Sequence, residues 1–181
     1  KKELEHKTLI FVYLGIYDSS SLLWQNLEKL EDCLFITRDA QTCPPRNLHV
    51  LDDMFSYSDL IATADIIVTK LGYSTLACAF HHGKPVIACD RKQFCESSVI
   101  RQFLTRNQTG IVVSKEVFNT CDWGDAIKQA RRITVKDKVL LNGENDVFEA
   151  IGNLIGTNFL KKFEALDETR YHADHNQLER N

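Results

Sequence analysis

Apolar and polar positions divide this chain into two kinds of segment that alternate along its length. Short continuous apolar runs, the first being TLIFVYL at 8–14, are typical of strands buried on both faces of a parallel sheet. Between them lie segments whose apolar residues recur at helical spacing. The pattern predicts six strands, at 8–14, 33–37, 48–51, 66–69, 86–89 and 110–113. It predicts helices at about 21–31, 55–64, 73–82, 96–105, 123–132 and 144–155.

This alternation predicts the fold class. Strands that alternate with helices form a parallel sheet covered on both faces, so we expect an α/β, doubly wound, Rossmann-like domain with six parallel strands. The commonest order for six such strands is 3-2-1-4-5-6, and ligands then bind between the first and fourth strands, beyond their carboxyl ends. The loops at 15–20 and 70–74, which follow those two strands, both carry glycine and hydroxyl residues. The predicted ligand site therefore lies between these loops.

The segment DIIVTKLGYSTLACAFHHGKPVIACDRKQFCESS at 65–98 carries the clearest chemical signal. An apolar strand leads into a turn at Gly72, and Ser74 and Thr75 then open a helix. Unpaired N–H groups and the positive end of the helix dipole attract anions at such a point. We therefore predict that Gly72, Tyr73, Ser74 and Thr75 bind a phosphate or diphosphate, with Gly15 opposite. The alternative is purely structural, with Gly72 as a turn and the hydroxyls as helix caps.

Basic residues lie close to this segment. Lys70 directly follows the fourth predicted strand, and Arg91 and Lys92 follow the fifth. They are placed to neutralise a diphosphate, although solvated surface charges would show the same pattern.

Composition narrows the function classes. With 181 residues, 44% hydrophobic and 26% charged, the chain fits one globular domain, predicted at 1–157, followed by a charged helix or tail at 158–181. A net charge of −3 without a basic run disfavours nucleic-acid binding. No apolar run approaches the roughly 20 residues of a membrane span. Six cysteines without a CxxC pair indicate reduced thiols in the cytoplasm and no structural zinc.

The central segment also carries a resemblance to a known family. The matching features are an acidic-hydrophobic strand, the Gly72 loop, Thr75, a helix of small residues, and HGKP at 82–85 before the next strand. This pattern resembles the donor-binding half of the two-domain (GT-B) nucleotide-sugar glycosyltransferases, in particular the family of the peptidoglycan N-acetylglucosaminyl transferase. The later Asn142–Gly143 leading into a final helix is similar to the glycosyltransferase-like segment of some sugar kinases. The resemblance covers roughly residues 8–155.

The resemblance implies a substrate and several roles. The expected ligand is a nucleotide-diphosphate sugar, with UDP as the expected nucleotide and with no metal or other cofactor. Arg91 and Glu96 are expected to contact the donor sugar. Cys78 stands where the family carries a glutamate that holds the ribose hydroxyls, and a thiol is a poor hydrogen-bond partner for a diol. No residue is identifiable as a general base, so the catalytic residues are unknown.

Enzymes of the resembled type work in a cleft between two domains, whereas this chain has the length of one. We therefore expect it to need an N-terminal acceptor-binding domain or a partner subunit, and to be inactive without it. Two alternatives stay open. One is a non-catalytic binding or interaction module that keeps the fold with a degraded donor site. The other is a flavodoxin-like or other doubly wound protein with an unrelated ligand.

Overall fold

A six-stranded parallel sheet organises the molecule. The computed structural model describes residues 7–15, 19–39, 42–52, 54–91, 94–135, 139 and 143–155. The strands are β1 (Thr8–Tyr13), β2 (Cys33–Thr37), β3 (Leu48–Val50), β4 (Ile66–Lys70), β5 (Val86–Cys89) and β6 (Gly110–Val113). They pair in parallel in the order β3-β2-β1-β4-β5-β6. The predicted fold class and strand order are both confirmed.

Helices cover both faces of the sheet because successive strand residues point to opposite sides. In β1, Phe11 packs into one hydrophobic cluster, whereas Ile10 and Val12 pack into the other. The Phe11 face is covered by α1 (Tyr57–Thr63), α2 (Tyr73–His81) and α3 (Ser97–Asn107). The opposite face is covered by α4 (Lys115–Asn119), α5 (Gly124–Ala130) and a 3-10 segment at Trp24–Lys29. The largest fully buried side chain, Trp123, belongs to this second face.

The chain divides into two compact units. The first, Lys1–Val139, contains the sheet and α1 to α5. The second, Leu140–Asn181, contains α6 (Gly143–Ile155). The charged segment predicted at 158–181 lies outside the described residues, and the predicted boundary at 157 stays a prediction. No helix in the described parts of the chain is both long and apolar enough to cross a bilayer.

The helix predicted at 21–31 is wrong. The region forms two 3-10 helices, Ser19–Ser21 and Trp24–Lys29. A distant contact explains the difference: the backbone N–H of Leu23 donates to the Asn119 carbonyl at 2.8 Å, which breaks the local hydrogen-bond series. The side chain of Asn26 also donates to the Thr120 carbonyl at 2.9 Å. Tertiary hydrogen bonds therefore override the local helical pattern here.

The other helices follow the pattern closely. The bounds of α1, α2, α3 and α5 lie within two residues of those predicted. The pattern missed α4, a helix of one and a half turns that begins after Ser114, whose hydroxyl accepts from the Val117 N–H at 3.2 Å. Short helices of this kind give no periodicity to detect.

All six cysteines are free thiols. Cys33, Cys89 and Cys121 are buried as small apolar side chains. Burial raises the pKa of the Cys33 and Cys121 thiols to about 12. Both therefore stay protonated and unreactive at neutral pH.

An ion pair lies at the edge of the sheet where the strands begin. The Arg131 guanidinium, just after α5, pairs with the Asp32 carboxylate at 2.6 Å and donates to the Thr8 hydroxyl at 2.9 Å. This hydrogen-bonded partner holds the pKa of Asp32 below its usual value, against the opposing effect of burial. The contact ties α5 to the starts of β1 and β2.

Arg131→Gln is expected to lower the free energy of unfolding by about 1 kcal/mol at neutral pH, since a partly exposed pair is screened by solvent. Because folding lowers the pKa of Asp32, the pair stabilises the protein fully at pH values above the ordinary carboxyl pKa of 3.8. This stabilisation is lost as the pH falls through the lowered pKa. Urea unfolding of both proteins between pH 7 and pH 2 checks this. Lys128→Gln, which breaks the exposed pair with Asp125, is the control and should change little. If Arg131→Gln lowered the free energy of unfolding by the same amount at pH 2 as at pH 7, the assignment of this effect to the Arg131–Asp32 ion pair would be contradicted.

Gly110 allows β6 to approach β5. A Cβ at this position would lie 2.5 Å from Val86 Cγ2 and 2.8 Å from the Val86 carbonyl oxygen. The two residues are in register across the pair of strands, so a methyl group on Gly110 would press directly on the β5 backbone.

Gly110→Ala is therefore expected to destabilise the protein by about 1–3 kcal/mol through overpacking. Gly124→Ala is the matched control, because its new methyl would meet only the end of the Leu30 side chain, at 3.4 Å. Urea unfolding of the two variants measures the difference. Equal stability of the two would show that the β5–β6 contact is looser than the structure indicates.

Candidate functional site

Two loops meet at the carboxyl edge of the sheet, as the strand order requires. Tyr13 and Thr69 are in register across β1 and β4, so the residues that follow them lie side by side. Gly15 has a left-handed backbone (φ 60°). A Cβ on Gly15 would lie 3.3 Å from Lys70 Nζ, so the Lys70 ammonium group lies against the backbone of the β1 loop. The site predicted between these loops therefore has a positive charge at its centre.

The amino terminus of α2 opens into the same region. Gly72 occupies the N-cap position, and no side chain caps the helix. The first bond into the helix runs from the Leu76 N–H to the Gly72 carbonyl at 3.3 Å, so the N–H groups of Tyr73, Ser74 and Thr75 precede the hydrogen-bonded turns. In α1, by contrast, the Ser56 hydroxyl accepts from the Asp59 N–H at 3.1 Å. The α2 terminus presents uncapped donors, and nothing lies within 4 Å of a Cβ built on Gly72.

A second cation stands beside Lys70. The Arg91 guanidinium lies 4.2 Å from the centre of the Phe94 ring and 3.5 Å from the Leu71 carbonyl oxygen. Burial, followed by the charge of Arg91, lowers the pKa of Lys70. Among the described residues no carboxylate forms an ion pair with either side chain. The neighbouring Asp90 is bound by Arg101 at 2.5 Å instead. The edge thus has two adjacent positive charges that repel one another.

The loop after β5 is tied together by its own hydrogen bonds. The buried Ser97 hydroxyl donates to the Arg91 carbonyl at 2.7 Å, and the Phe94 N–H donates to the same carbonyl at 2.9 Å. Glu96 lies at the N-cap position of α3 and makes no side-chain capping bond there. Arg91 is thereby held next to Leu71 at the site, and Glu96 begins α3 five residues later. Lys92 lies outside the described residues.

Thr75 is oriented inward. Its side chain is 7% exposed and lies beside the hydroxyl of Tyr57, the first residue of α1. The Tyr57 ring lies 4.5 Å from that of Tyr13, and burial raises the pKa of Tyr57 to about 12. The Thr75 side chain is thus buried against α1, and its backbone N–H belongs to the first turn of α2, before the hydrogen-bonded turns.

Cys78 lies where α2 contacts α1. Its thiol is 3.9 Å from the Ser58 hydroxyl, which is in turn 3.1 Å from His82 Nε2. The side chain also packs against the hydrophobic cluster on this face. The role toward a ribose that the resemblance gives to Cys78 stays a prediction, as do the ligand contacts predicted for the other site residues.

Sequence reasoning missed Asp39. This residue follows β2, and its half-buried carboxylate accepts a hydrogen bond from the Thr37 hydroxyl at 3.1 Å and bonds to the backbone of Leu14, next to Gly15. Burial raises its pKa above the usual value. The sequence contained one signal that could have identified Asp39, which is its position after β2. Polar groups that follow a parallel strand lie at the ligand-binding edge of the sheet.

The described side chains do not suggest a metal centre. No group of three or more His, Cys, Asp or Glu residues among those described is placed to hold an ion. What the edge offers chemically is positive charge, uncapped N–H donors and open space, which together suit an anion.

Comparison with known proteins identifies the fold. No protein-family model matches the chain, and no curated protein sequence does. Solved structures do match. The glycosyltransferase SnogD from Streptomyces nogalater superposes with a TM-score of 0.51 at 19% identity, over 74% of this chain and 39% of that protein. The calicheamicin glycosyltransferase CalG4 gives 0.58 at 12% identity, over 74% and 37%. The spinosyn forosaminyltransferase SpnP gives 0.52 at 17% identity, over 70% and 35%.

The chain has the fold of a GT-B glycosyltransferase C-terminal domain. The family resemblance drawn from residues 65–98 is confirmed at this level. Identities of 12% to 19% establish the fold alone, and the chain spans less than two fifths of the length of each protein, at 39%, 37% and 35%.

Gly72→Ala separates the role of the α2 terminus in anion binding from its role in folding. The backbone at Gly72 is extended (φ −170°) and the space beside it is open, so the variant should fold and lose about 1 kcal/mol or less of stability. Its methyl group would stand in front of the uncapped N–H groups, so we expect affinity for inorganic pyrophosphate to fall about tenfold. Calorimetric titration of the parent and of Gly72→Ala measures the change, and Gly143→Ala in α6 is the control. Unchanged affinity would place the anion elsewhere.

Proposed function

We propose that this chain is the donor-binding half of a GT-B-type glycosyltransferase and binds a nucleoside-diphosphate sugar at the carboxyl ends of β1 and β4. The observation that carries the proposal is the uncapped amino terminus of α2 beside Lys70 and Arg91, two cations without an ion-paired carboxylate among the described residues. The fold shared with glycosyltransferases supports it.

A diphosphate complements this arrangement. Its charges would relieve the repulsion between Lys70 and Arg91, and its oxygens would accept from the backbone N–H groups at the start of α2. Because Gly15 has no side chain, the Lys70 ammonium group can lie against the backbone that follows β1. Arg91 and Glu96, held on one side by the loop after β5, are then the residues nearest to the sugar.

The same groups suit the chemistry of glycosyl transfer. As the bond to the sugar breaks, negative charge grows on the departing nucleoside diphosphate, and fixed N–H donors and cations stabilise it without reorganisation. A metal ion is not required for that stabilisation. The general base and the acceptor site would come from a second domain or a partner subunit, so transferase activity is expected only when that part is present.

The finer assignments follow from the resemblance. UDP is the proposed nucleotide, and the cytoplasm is the proposed compartment, in keeping with the free thiols. No described feature specifically favours the alternative of a non-catalytic interaction module with a degraded donor site.

The proposal is tested by calorimetric titration of the full chain with UDP, GDP and their sugars. We expect binding of at least one nucleoside diphosphate, and we expect Lys70→Gln to weaken it about tenfold while weakening the corresponding monophosphate less. The affinity should also fall with rising salt, because the contacts are ionic. Lys128→Gln, an equal loss of charge on the exposed surface of α5, is the control.

Two results would contradict the proposal. One is that no nucleoside diphosphate binds the parent chain. The other is that Lys70→Gln and Lys128→Gln bind equally well, which would place the ligand away from the carboxyl ends of β1 and β4.

A further inference from the structure

An ion pair between Asp90 and Arg101 lies next to the proposed anion site. Asp90 directly follows β5, and Arg101 belongs to α3. Arg101 Nη2 donates to Asp90 Oδ1 at 2.5 Å, and the side chain of Asp90 is only 17% exposed. A carboxylate that is largely withdrawn from water is weakly screened, so its charge acts strongly on its surroundings. The partner that Asp90 binds therefore affects the electrostatics of this edge of the sheet.

The backbone of Asp90 runs alongside the start of α2. Leu71, the residue before the Gly72 N-cap, donates its N–H to the Cys89 carbonyl at 3.4 Å. The carbonyl of Leu71 accepts from the Arg91 guanidinium at 3.5 Å. Asp90 stands between Cys89 and Arg91 in the chain, so its backbone lies beside Leu71. An acidic residue is therefore built into the edge where an anion is proposed to bind.

A carboxylate at this position, without a partner, would be attracted by the groups that attract the ligand. These are the Arg91 guanidinium and the uncapped N–H groups at the start of α2. Because the carboxylate is attached to the chain, its effective concentration at those groups would be high. It would then compete with a dissolved anion. Arg101 gives the Asp90 carboxylate another partner.

We propose that Arg101 is a positioning residue for the anion site: by binding Asp90, it keeps that carboxylate away from the groups that bind the ligand. The inference rests on the proposed function and adds a residue that controls affinity without touching the ligand. Arg91 is adjacent to Asp90 in sequence, yet its guanidinium lies over the Phe94 ring and Asp90 is bound by Arg101.

The state of Lys70 agrees with this role for Arg101. Burial, followed by the charge of Arg91, lowers the pKa of Lys70. A carboxylate close to an ammonium group has the opposite effect, because it favours the charged form. The net direction is therefore the one expected when Asp90 is held by Arg101 and the two cations keep their charge for a ligand.

The test is a double-mutant cycle on the full chain, measured by calorimetric titration with inorganic pyrophosphate and with UDP. Arg101→Gln is expected to weaken the binding of both about tenfold, because it releases Asp90 as a competitor. In the double variant Asp90→Asn/Arg101→Gln, the affinity should return to within about twofold of the parent, since an asparagine brings no charge into the site. Arg101→Lys, which keeps a cation for Asp90, should recover most of the affinity lost in Arg101→Gln.

A charge-matched control separates the release of Asp90 from the loss of one positive charge. Arg106→Gln removes the same charge from the last turn of α3 and should leave the affinity within about twofold of the parent. Nuclear magnetic resonance of the ligand-free proteins gives a second measurement. The backbone amide signals of Tyr73 and Ser74 should shift in Arg101→Gln, because the released carboxylate bonds near them, and should return in the double variant.

The outcomes separate this inference from the proposed function. If Arg101→Gln binds pyrophosphate and UDP as tightly as the parent, or if the double variant is weakened as much as Arg101→Gln, the positioning role is wrong and the diphosphate site stands. If Arg101→Gln fails to fold, Arg101→Met is judged by the same criteria. If neither ligand binds the parent, the proposed function fails and this inference fails with it. Circular dichroism and thermal unfolding establish that each variant is folded.

Discussion

The parallel pairing of β1 with β4 determines where this molecule can bind a ligand. After β1 the chain packs a 3-10 segment on one face of the sheet, and after β4 it packs α2 on the other face, so the pairing places two segments that leave toward opposite faces next to one another. Gly15 and Gly72 therefore follow neighbouring strands at the same edge of the sheet. Lys70, the last residue of β4, lies against Gly15 there. The fold thus places a positive charge at this edge without any insertion or extra element.

The two edges of the sheet differ in how their polar groups are satisfied. At the amino edge, Arg131 is paired with Asp32 and bonded to Thr8, so the charges there neutralise one another. At the carboxyl edge, Lys70 and Arg91 lie close together beside uncapped N–H groups. Like charges near each other and uncapped donors lower the stability of a folded state, and such features concentrate at functional sites. This asymmetry is the physical basis for proposing an anionic ligand at the carboxyl edge.

The side chains of Thr75 and Cys78 in α2 pack inside the domain more than they line the proposed anion site. Thr75 lies beside Tyr57, and Cys78 lies beside Ser58, so both side chains pack α2 against α1. The helix terminus is consequently held in place by side chains while its backbone N–H groups stay exposed to the site. A rigidly placed row of backbone donors is the arrangement that favours anion binding with little reorganisation.

The sequence by itself determined the six strands, the parallel sheet and the start of α2 after Gly72, because burial on both faces imposes continuous apolar runs and because the helical spacing begins at Tyr73. The turn predicted at Gly72 is wrong, since its backbone is extended. The tertiary structure alone decided that Trp24–Lys29 is a 3-10 segment, since the N–H of Leu23 bonds to a carbonyl far along the chain. It also decided that Asp39 adjoins Leu14 and that Lys70 adjoins Gly15. Local patterns report which residues are buried. Contacts between residues distant in sequence depend on strand pairing and side-chain direction, which no local pattern contains.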